Sequence, residues 1–301
     1  MAIITLQSIQ SLLRPGLAAV FGDYMTYPDQ WKEIFTSHVS NKAVEYEVEM
    51  RLLPVALFKA DGGAVAYGDM AQQYTTSYFH QNFGIGFQIT ANTIRDNLYK
   101  DAWPRATESG KDSMRQAKNI QGAAVLNNGY NANFPVSDGQ ALFSLAHPVL
   151  GANVANTFAI PTQLNETSLQ DALIGIQKFL NASGLRIALG AEKLIVPPEL
   201  QFTADVLLGS KYRVGTANND INAMYNLSSV PMGYKVNQFL TNPTQWQLIT
   251  NESNGFKYYE RDPLSIDMFT DTTTRNLNVT FVERYSFGCS NWRATFGSQG
   301  V

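Results

Sequence analysis

The chain has 301 residues, of which 45% are hydrophobic and only 16% are charged, below the usual share of about a quarter. Its formal net charge of −3 excludes a protein that wraps nucleic acid with a strongly basic surface. The single cysteine, Cys289, excludes an intramolecular disulfide, and we expect it to be a small buried residue of a C-terminal strand. Residues 1–20 lack the pattern of a secretory signal, and no apolar run reaches the ~20 residues of a membrane span. Cytoplasmic synthesis of a soluble product is therefore expected.

The first 40 residues are predicted to form an arm and not a domain. Residues 5–24 have an amphipathic pattern typical of a short helix, which Pro15 and Gly16 interrupt. A small apolar anchor follows, made of Trp31, Ile34 and Phe35. Because these residues are too few to enclose a core of their own, we expect the arm to lie on something else.

The next segment alternates between two faces, which is typical of a β-strand. One face carries Val44, Tyr46, Val48 and Met50, and the other carries Glu45, Glu47 and Glu49. After a reversal rich in glycine, residues 74–88 return as a second extended segment. The pattern predicts a hairpin arm over residues 41–84, and such a hairpin is marginal alone in water and needs support from elsewhere.

Residues 91–127 predict a long helix, which is the central element of the chain. Apolar or small residues recur at steps of three and four from Ile94 to Ala124, and some 35 residues would reach ~50 Å. Pro104 removes a backbone donor and clashes with the preceding turn. We therefore expect a kink there, or a short helix to about Ala102 and a second helix that starts near Pro104. A helix of this length either braces an extended protein or carries contacts to other subunits.

The remainder of the chain alternates between helical and strand patterns. A helix over 164–184, capped by Thr167 or Ser168, a strand over 193–196 and a helix over 199–210 predict a compact α/β subdomain at about 161–260. Residues 211–233 are polar and predict a long loop. Further strands are predicted at 234–239, 246–249, 256–259 and 277–292, and we expect the last of them to pack on the long helix. The predicted fold class is α+β.

No residue pattern indicates catalysis. The three histidines, His38, His80 and His147, are isolated, and we expect each to be a hydrogen-bonded structural residue and not a metal ligand or a base. The chain has no nucleophile elbow, no phosphate-binding loop and no dinucleotide fingerprint. The sequence therefore predicts a protein that is not an enzyme, with no catalytic residues, no metal and no cofactor.

Two charge patterns suggest contacts between copies of the chain. The hairpin carries the acidic row Glu45, Glu47 and Glu49. The long helix carries the basic stripe Lys111, Arg115 and Lys118. One interpretation is that both are solvated faces. The other is that the arm of one subunit lies across the helix of the next, where pairs worth about 0–1 kcal/mol each set register and partner choice over many copies. On that hypothesis Glu47→Lys blocks assembly and leaves monomer folding intact.

The order of elements and several segments resemble the major capsid proteins of tailed bacteriophages, which have the Hong Kong 97 phage fold. SYFHQNFGIGFQITANTIRDNLY (77–99) is similar to that family's passage from the extended loop into its spine helix. DGQALFSLAHP (138–148) resembles the segment after the spine in Mu-type major head subunits. LIVPPELQFTADVLL (194–208) resembles the axial-domain strand and helix. TNPTQWQLIT (241–250) and RYSFGCSNWRATFGSQG (284–300) resemble the C-terminal portion.

The resemblance implies five parts. They are the N-terminal arm (1–40), the extended loop (41–84), a peripheral domain with the spine helix (85–160), an axial domain (161–261) and C-terminal strands that return to the peripheral domain (262–301). It implies a structural major capsid protein that self-assembles into hexamers and pentamers of an icosahedral head around double-stranded DNA. The localisation implied is the virion, assembled in the bacterial cytoplasm.

The resemblance also implies partners. Besides copies of itself, these are a portal protein, a separate scaffolding or decoration protein, and packaged DNA through weak non-specific contact, with no membrane. Some members begin with a removable scaffolding region, whereas this chain starts with a short arm, so scaffolding is expected to be a separate protein or unnecessary. Some members join a loop lysine covalently to a neighbour, and Lys59 is the loop's candidate for that role.

Two alternatives remain open. An encapsulin-type compartment shell shares the fold but encloses enzymes and not a genome. A soluble enzyme or glycan-binding domain with an extended β-arm belongs to another class. The lack of any site constellation and the arm's inability to stand alone argue against the second alternative.

Overall fold

The computed structural model describes residues 29–95, 102–212 and 220–301, so the helix predicted over 5–24 lies outside the described ranges. The described chain is a mixed α+β fold, as predicted. Its helices are α1 (Ala91–Arg95), α2 (Ala102–Asn127), α3 (Glu166–Gln177), α4 (Gln201–Gly209) and α5 (Ala223–Asn226). Its strands are β1 (Thr36–Val39), β2 (Val44–Arg51), β3 (Ala71–Phe79), β4 (Gln81–Ile89), β5 (His147–Val149), β6 (Ala152–Val154), β7 (Ala191–Val196), β8 (Tyr234–Val236), β9 (Trp246–Thr250), β10 (Phe256–Thr270), β11 (Leu277–Cys289) and β12 (Thr295–Ser298).

A first sheet has the strand order β1-β10-β11-β4. β1 runs parallel to β10, and the other pairs are antiparallel. β10 is longer than predicted, because it continues from Tyr259 to Thr270 through Pro263. Pairing to β1 ends at Glu260, and the register on β11 shifts between Glu260 and Ser265. Proline is tolerated there because this half of the strand lies at the sheet edge, next to bulges.

The long helix is α2, described from Ala102 to Asn127, and it contains Pro104. The predicted helical segment is therefore confirmed over these residues. The preceding helix α1 is described over Ala91–Arg95. The predicted division before Pro104 falls on residues 96–101, which lie outside the described ranges.

α2 packs on the first sheet, as predicted for the C-terminal strands. Met114 of α2 is buried in one cluster with Val279 and Phe281 of β11. The close approach of α2 to β11 requires a glycine at position 110, because a Cβ there would lie 2.6 Å from the ring of Phe281. Phe281 is fully buried, so its ring has no free space to move into.

Gly110→Ala is therefore expected to destabilise the subunit. Overpacking a filled core costs about 1–3 kcal/mol, which exceeds the ~1 kcal/mol by which alanine favours a helix over glycine. Denaturant unfolding of the unassembled subunit measures the change. Glu108→Ala, at an exposed position of the same helix, is the matched control and should shift the free energy of unfolding by no more than about 0.5 kcal/mol. A Gly110→Ala subunit as stable as the parent would contradict this packing.

A second sheet has the order β12-β9-β7-β8, and α3 and α4 contact its strands β12 and β8. The division into a subdomain at about 161–260 stays a prediction. The predicted caps of α3, Thr167 or Ser168, are wrong. Asn165 caps the helix: its side chain accepts from the backbone N–H of Ser168 at 2.8 Å, and the Ser168 hydroxyl accepts from the Asn165 N–H at 3.0 Å. This reciprocal capping box satisfies two N–H groups, whereas a cap at Ser168 would leave them unpaired.

The C-terminal strand β12 joins this second sheet and does not return to α2 with its neighbours. It pairs antiparallel with β9, whereas the resemblance implies that all of 262–301 returns to the peripheral domain around the long helix. The predicted boundary at residue 261 also falls inside β10. β12 has the sequence TFGS, and its polar Thr295 is fully buried because its hydroxyl donates to the carbonyl oxygen of Leu248 at 3.0 Å. No alternation of apolar residues marks such a strand.

The apolar anchor of the N-terminal arm lies on the core of its own chain. Trp31, Ile34 and Phe35 are all buried. The Trp31 backbone N–H donates to Asn119 of α2 at 3.3 Å, and its ring lies 4.2 Å from that of Tyr258. The expectation that the arm lies on something else therefore holds for these residues, and the support is α2 and β10.

Candidate interaction surface

The predicted hairpin is formed by β2 and β3, which pair antiparallel from Val44 opposite Phe79 to Arg51 opposite Ala71. Residues 52–70 connect them without regular strands or helices. The second extended segment, predicted as one unit, divides at His80. The strand before it pairs with β2, and the strand after it pairs with β11 of the first sheet. His80 therefore stands at the base of the hairpin.

The outward side of the hairpin is apolar. Tyr46 is 62% exposed on β2, and in the connection Phe58 is 95% and Tyr67 97% exposed. We call this surface the apolar hairpin face, and it comprises Tyr46, Val48, Met50, Leu52, Leu53, Val55, Leu57, Phe58, Val65, Tyr67 and Met70. Exposed apolar groups on this scale mark a site where another molecule packs. The sequence identified residues 52–70 only as a chain reversal, although their unusual apolar content was the available signal.

The acidic row faces inward, toward the body of its own chain. Glu47 accepts hydrogen bonds from Lys257 and Tyr259 and, at 2.6 Å, from the hydroxyl of Ser290. Glu49 pairs with Arg293 at 2.7 Å. Glu45 accepts from Ser40 at 2.8 Å and from Lys42 at 3.1 Å. These body residues were missed because no local pattern connects them with the hairpin.

The environment of Glu47 lowers its pKa below the ordinary value of 4.5. Burial acts to raise the pKa, but the hydrogen bonds from Lys257, Ser290 and Tyr259 and the charge of Lys257 outweigh it. A carboxyl with a depressed folded pKa contributes stability above its unfolded pKa and loses it as the pH falls through the folded value. This contribution is therefore present at neutral pH and disappears in acid.

Wild type is accordingly expected to be more stable than Glu47→Gln at about pH 7, and the difference should shrink steadily toward about pH 3. Denaturant unfolding of both proteins across this range measures it. Because both proteins carry the same other carboxyl groups, the contribution of those groups to the pH dependence of stability cancels in the difference. A difference that does not change with pH would contradict the role assigned to the ionised Glu47 carboxylate.

The basic stripe does not form a solvated face. Lys118 is buried, and its ammonium lies 2.8 Å from Glu283 and above the rings of Tyr258 and Tyr285 at 5.5 and 5.2 Å. Burial raises the pKa of Glu283, against the opposing effect of Lys118. Lys111 is also buried, so the solvated-face interpretation is wrong for both lysines.

The two other predicted contact residues occupy different settings. Arg115 lies 3.3 Å from Asp112 in the same helix. Lys59 lies exposed in the hairpin connection. The pairing of the acidic row with the basic stripe of a neighbouring subunit stays a prediction.

The histidines are hydrogen-bonded, in agreement with their predicted structural role. His147 lies 2.6 Å from Asp138 and 3.2 Å from Asn156, and its ring stacks on Trp292 at 4.3 Å. His80 lies between two serine hydroxyls, Ser40 at 3.1 Å and Ser286 at 3.0 Å, and burial lowers its pKa. His38 contacts Thr36 at 3.3 Å.

The described part of the chain contains no group of three or more histidine, cysteine, aspartate or glutamate side chains placed to hold a metal ion. Among its helices, none is long and apolar enough to cross a membrane.

The fold is similar to that of several solved structures. The structure is similar to a chain from Microbacterium phage Oxtober96, with 11% identity, a TM-score of 0.57 and coverage of 91% of this chain and 92% of that one. It is similar to a chain from the capsid of bacteriophage JBD30 decorated with minor capsid protein trimers, with 15% identity, a TM-score of 0.56 and coverage of 71% and 92%. It is also similar to a virus-like particle from Pyrococcus furiosus, with 9% identity, a TM-score of 0.51 and coverage of 93% and 96%.

The sequence itself identifies the family. No curated protein matches significantly, but a family model described as phage capsid protein matches residues 73–297, which is most of the chain. Family and fold indicate a structural, non-enzymatic protein that acts in the capsid of the virion. The chain therefore belongs to the phage capsid protein family.

Proposed function

We propose that the chain is the major capsid protein of a tailed bacteriophage and assembles into hexamers and pentamers of an icosahedral head around double-stranded DNA. The observation that carries the proposal is the apolar hairpin face. Among the described residues, none of its members belongs to the buried core, and Phe58 and Tyr67 are almost fully exposed. A soluble monomer gains nothing from such a surface, whereas a shell subunit buries it against the next copy.

Each part of the family fold has a proposed role in the shell. The hairpin (41–84) reaches a neighbour, and residues 85–160 with 262–301 form the peripheral domain around α2, except that β12 joins the other sheet. Residues 161–261 form the axial domain at capsomer centres. The described segment 220–233, which includes α5, and helix α4 would face the capsomer axis with exposed apolar side chains, among them Phe202, Ile221, Leu227 and Met232.

The contacts proposed between subunits are many and individually modest, so their effects multiply through avidity. Lys59 lies in the surface that meets the neighbour and is available for contact or cross-linking there. The proposed closeness to Mu-type head subunits rests on residues 138–148, whose Asp138 and His147 form a buried pair.

The proposed partners follow from the same role. A portal protein and a separate scaffolding protein would act during assembly in the bacterial cytoplasm. A decoration protein is supported by the JBD30 capsid, which is decorated with minor capsid protein trimers. Contact with packaged DNA would be weak and non-specific, because a chain of net charge −3 offers little electrostatic attraction to phosphates.

A second candidate is an encapsulin-type compartment shell. The similarity to the virus-like particle from Pyrococcus furiosus, over nearly the full length of both chains, favours it. Both candidates predict closed shells, and they differ in what the shell encloses.

Electron microscopy of the purified, recombinantly expressed protein tests the proposal. Closed shells or rings of five and six subunits support both shell functions. Mass spectrometry of particles from the native source then separates the two, because a portal protein and DNA support the phage head, whereas an enclosed enzyme supports the compartment. A monodisperse monomer at every concentration would contradict both.

A further inference from the structure

We propose that the inner, acidic side of the hairpin is an intrasubunit clamp that sets the direction in which the apolar hairpin face projects. The clamp consists of Glu47 and Glu49 on the hairpin and Lys257, Ser290 and Arg293 on the body. The inference rests on the proposed function, because the direction matters only if a neighbouring subunit receives the apolar face. It assigns the acidic residues to positioning the hairpin on its own body.

Glu47 is the centre of the clamp. Its carboxylate accepts hydrogen bonds from Lys257 and Tyr259 of β10, and from the Ser290 hydroxyl at 2.6 Å. Lys257 is itself held by Asn254 at 2.6 Å. Ser290 also contacts the hydroxyl of Tyr78, which stands on β3. One serine at the end of the first sheet therefore contacts both strands of the hairpin.

Glu49 makes the second attachment, to a cation that cannot move freely. The Arg293 side chain is 3% exposed and 2.7 Å from Glu49. Its Nε donates to the carbonyl oxygen of Leu180 at 2.5 Å, and its guanidinium lies 4.5 Å above the ring of Trp292. A carboxylate that pairs with such an immobilised guanidinium is held in both position and orientation.

A third contact attaches the end of β2 to the body of the subunit. The Ser183 hydroxyl donates to the carbonyl oxygen of Leu52 at 2.5 Å. Residues 47 and 49 lie on the same face of a strand, since side chains alternate, and the segment from 47 to 52 spans about 17 Å at ~3.3 Å per residue. Attachments at both ends and within this segment fix its direction, and the connection after Leu52 continues that direction outward.

The burial of the cations explains why these pairs stay within one subunit. The side chains of Lys257 and Arg293 are 9% and 3% exposed, so a carboxylate from a neighbour would have to displace the hairpin to reach them. At the alternate positions of β2, the side chains of Tyr46, Val48 and Met50 are exposed. Attachment on the inner face and association on the outer face are therefore divided by the alternation of β2.

Charge exchange distinguishes a clamp within one subunit from a contact between subunits. Glu47→Lys should increase amide hydrogen exchange of β2 and β3 in the unassembled subunit by at least ~10-fold and should abolish regular shells. Glu47→Lys with Lys257→Glu in one chain should restore both. Co-expression of the two single variants should restore neither, because every subunit still lacks its own pair. Restoration by co-expression would overturn the proposal, as would unchanged exchange in Glu47→Lys.

A neutral variant keeps the test valid if Lys257→Glu fails to fold. Glu47→Gln/Glu49→Gln keeps the shape of both side chains, and it should raise exchange in β2 and β3 while leaving exchange in α2 unchanged. Asp267→Asn, an exposed strand carboxylate, is the matched control and should change neither. Failure of the proposed function appears differently, since the wild type would then form no shells although exchange in the unassembled subunit still reported the clamp.

Discussion

Phe58→Glu is expected to raise the subunit concentration needed for shell assembly by at least roughly tenfold, because each ~1.4 kcal/mol lost from an interface changes an equilibrium constant tenfold. Phe58 is 95% exposed in the free subunit. Burying a phenylalanine side chain is worth about 1.5–3 kcal/mol, and a glutamate in its place would be buried without a partner. Since every subunit of a shell repeats the contact, the losses accumulate over the assembly.

The same substitution should leave the subunit itself unchanged. The Phe58 side chain contributes no burial to the folded monomer, so its free energy of unfolding should stay within about 0.5 kcal/mol of the parent. Light scattering across a concentration series measures assembly, and denaturant unfolding measures stability. Phe58→Leu, which keeps an apolar side chain, is the matched control and should assemble at nearly the parental concentration. Normal assembly of Phe58→Glu would show that this part of the hairpin meets no neighbour.

Lys118→Met is expected to destabilise the unassembled subunit by about 3–5 kcal/mol, because removal of one partner leaves the other as an uncompensated buried charge. The remaining charge is Glu283, whose side chain is 1% exposed. Replacement of both residues, as Lys118→Met/Glu283→Leu, should be neutral or stabilising by up to about 4 kcal/mol, since neither desolvation cost remains. Lys178→Met, at an exposed lysine, is the control for loss of a positive charge.

The pH dependence of Lys118→Met gives a second measure. The pKa of Glu283 is already raised in the parent, first by burial. A carboxyl with a raised folded pKa contributes most stability below its unfolded value and loses it as the pH rises. The deficit of Lys118→Met relative to the parent should therefore be largest at neutral pH and smaller near about pH 4. Equal free energies of unfolding for Lys118→Met and Lys118→Met/Glu283→Leu would contradict the buried ion pair. A stability deficit of Lys118→Met that does not change with pH would also contradict it.

The sequence predicts the strand β2 but not the direction in which its two faces point. A period of two identifies residues that share a face, and burial decides which face turns inward. Here Glu47 and Glu49 turn inward because Lys257 and Arg293, more than 200 positions later, satisfy their charges. The more usual expectation, with the apolar face inside, would have missed the candidate surface. Only the folded chain brings these four residues together.

The long helix likewise has features that depend on sequence neighbours and features that depend on residues far away in the chain. Its periodicity predicts α2, because a helical pattern depends on neighbours in the chain. The burial of Lys118 depends on Glu283 of β11, which no local pattern indicates. The strand β12 was missed for a related reason, since Thr295 is buried through a hydrogen bond to β9. The family resemblance predicted the fold class and the capsid role because it draws on the ordered set of segments along the chain.

The structure of the assembled particle, determined by electron cryomicroscopy, shows whether the hairpin of one subunit packs on the next. We expect a closed shell of five- and six-fold capsomers in which residues 52–70 of one subunit lie against the next, with Phe58 and Tyr67 buried between them. Glu47 and Glu49 should remain bound to Lys257 and Arg293 of their own subunit. A particle in which residues 52–70 face solvent, or a protein that forms no particle, would contradict this expectation.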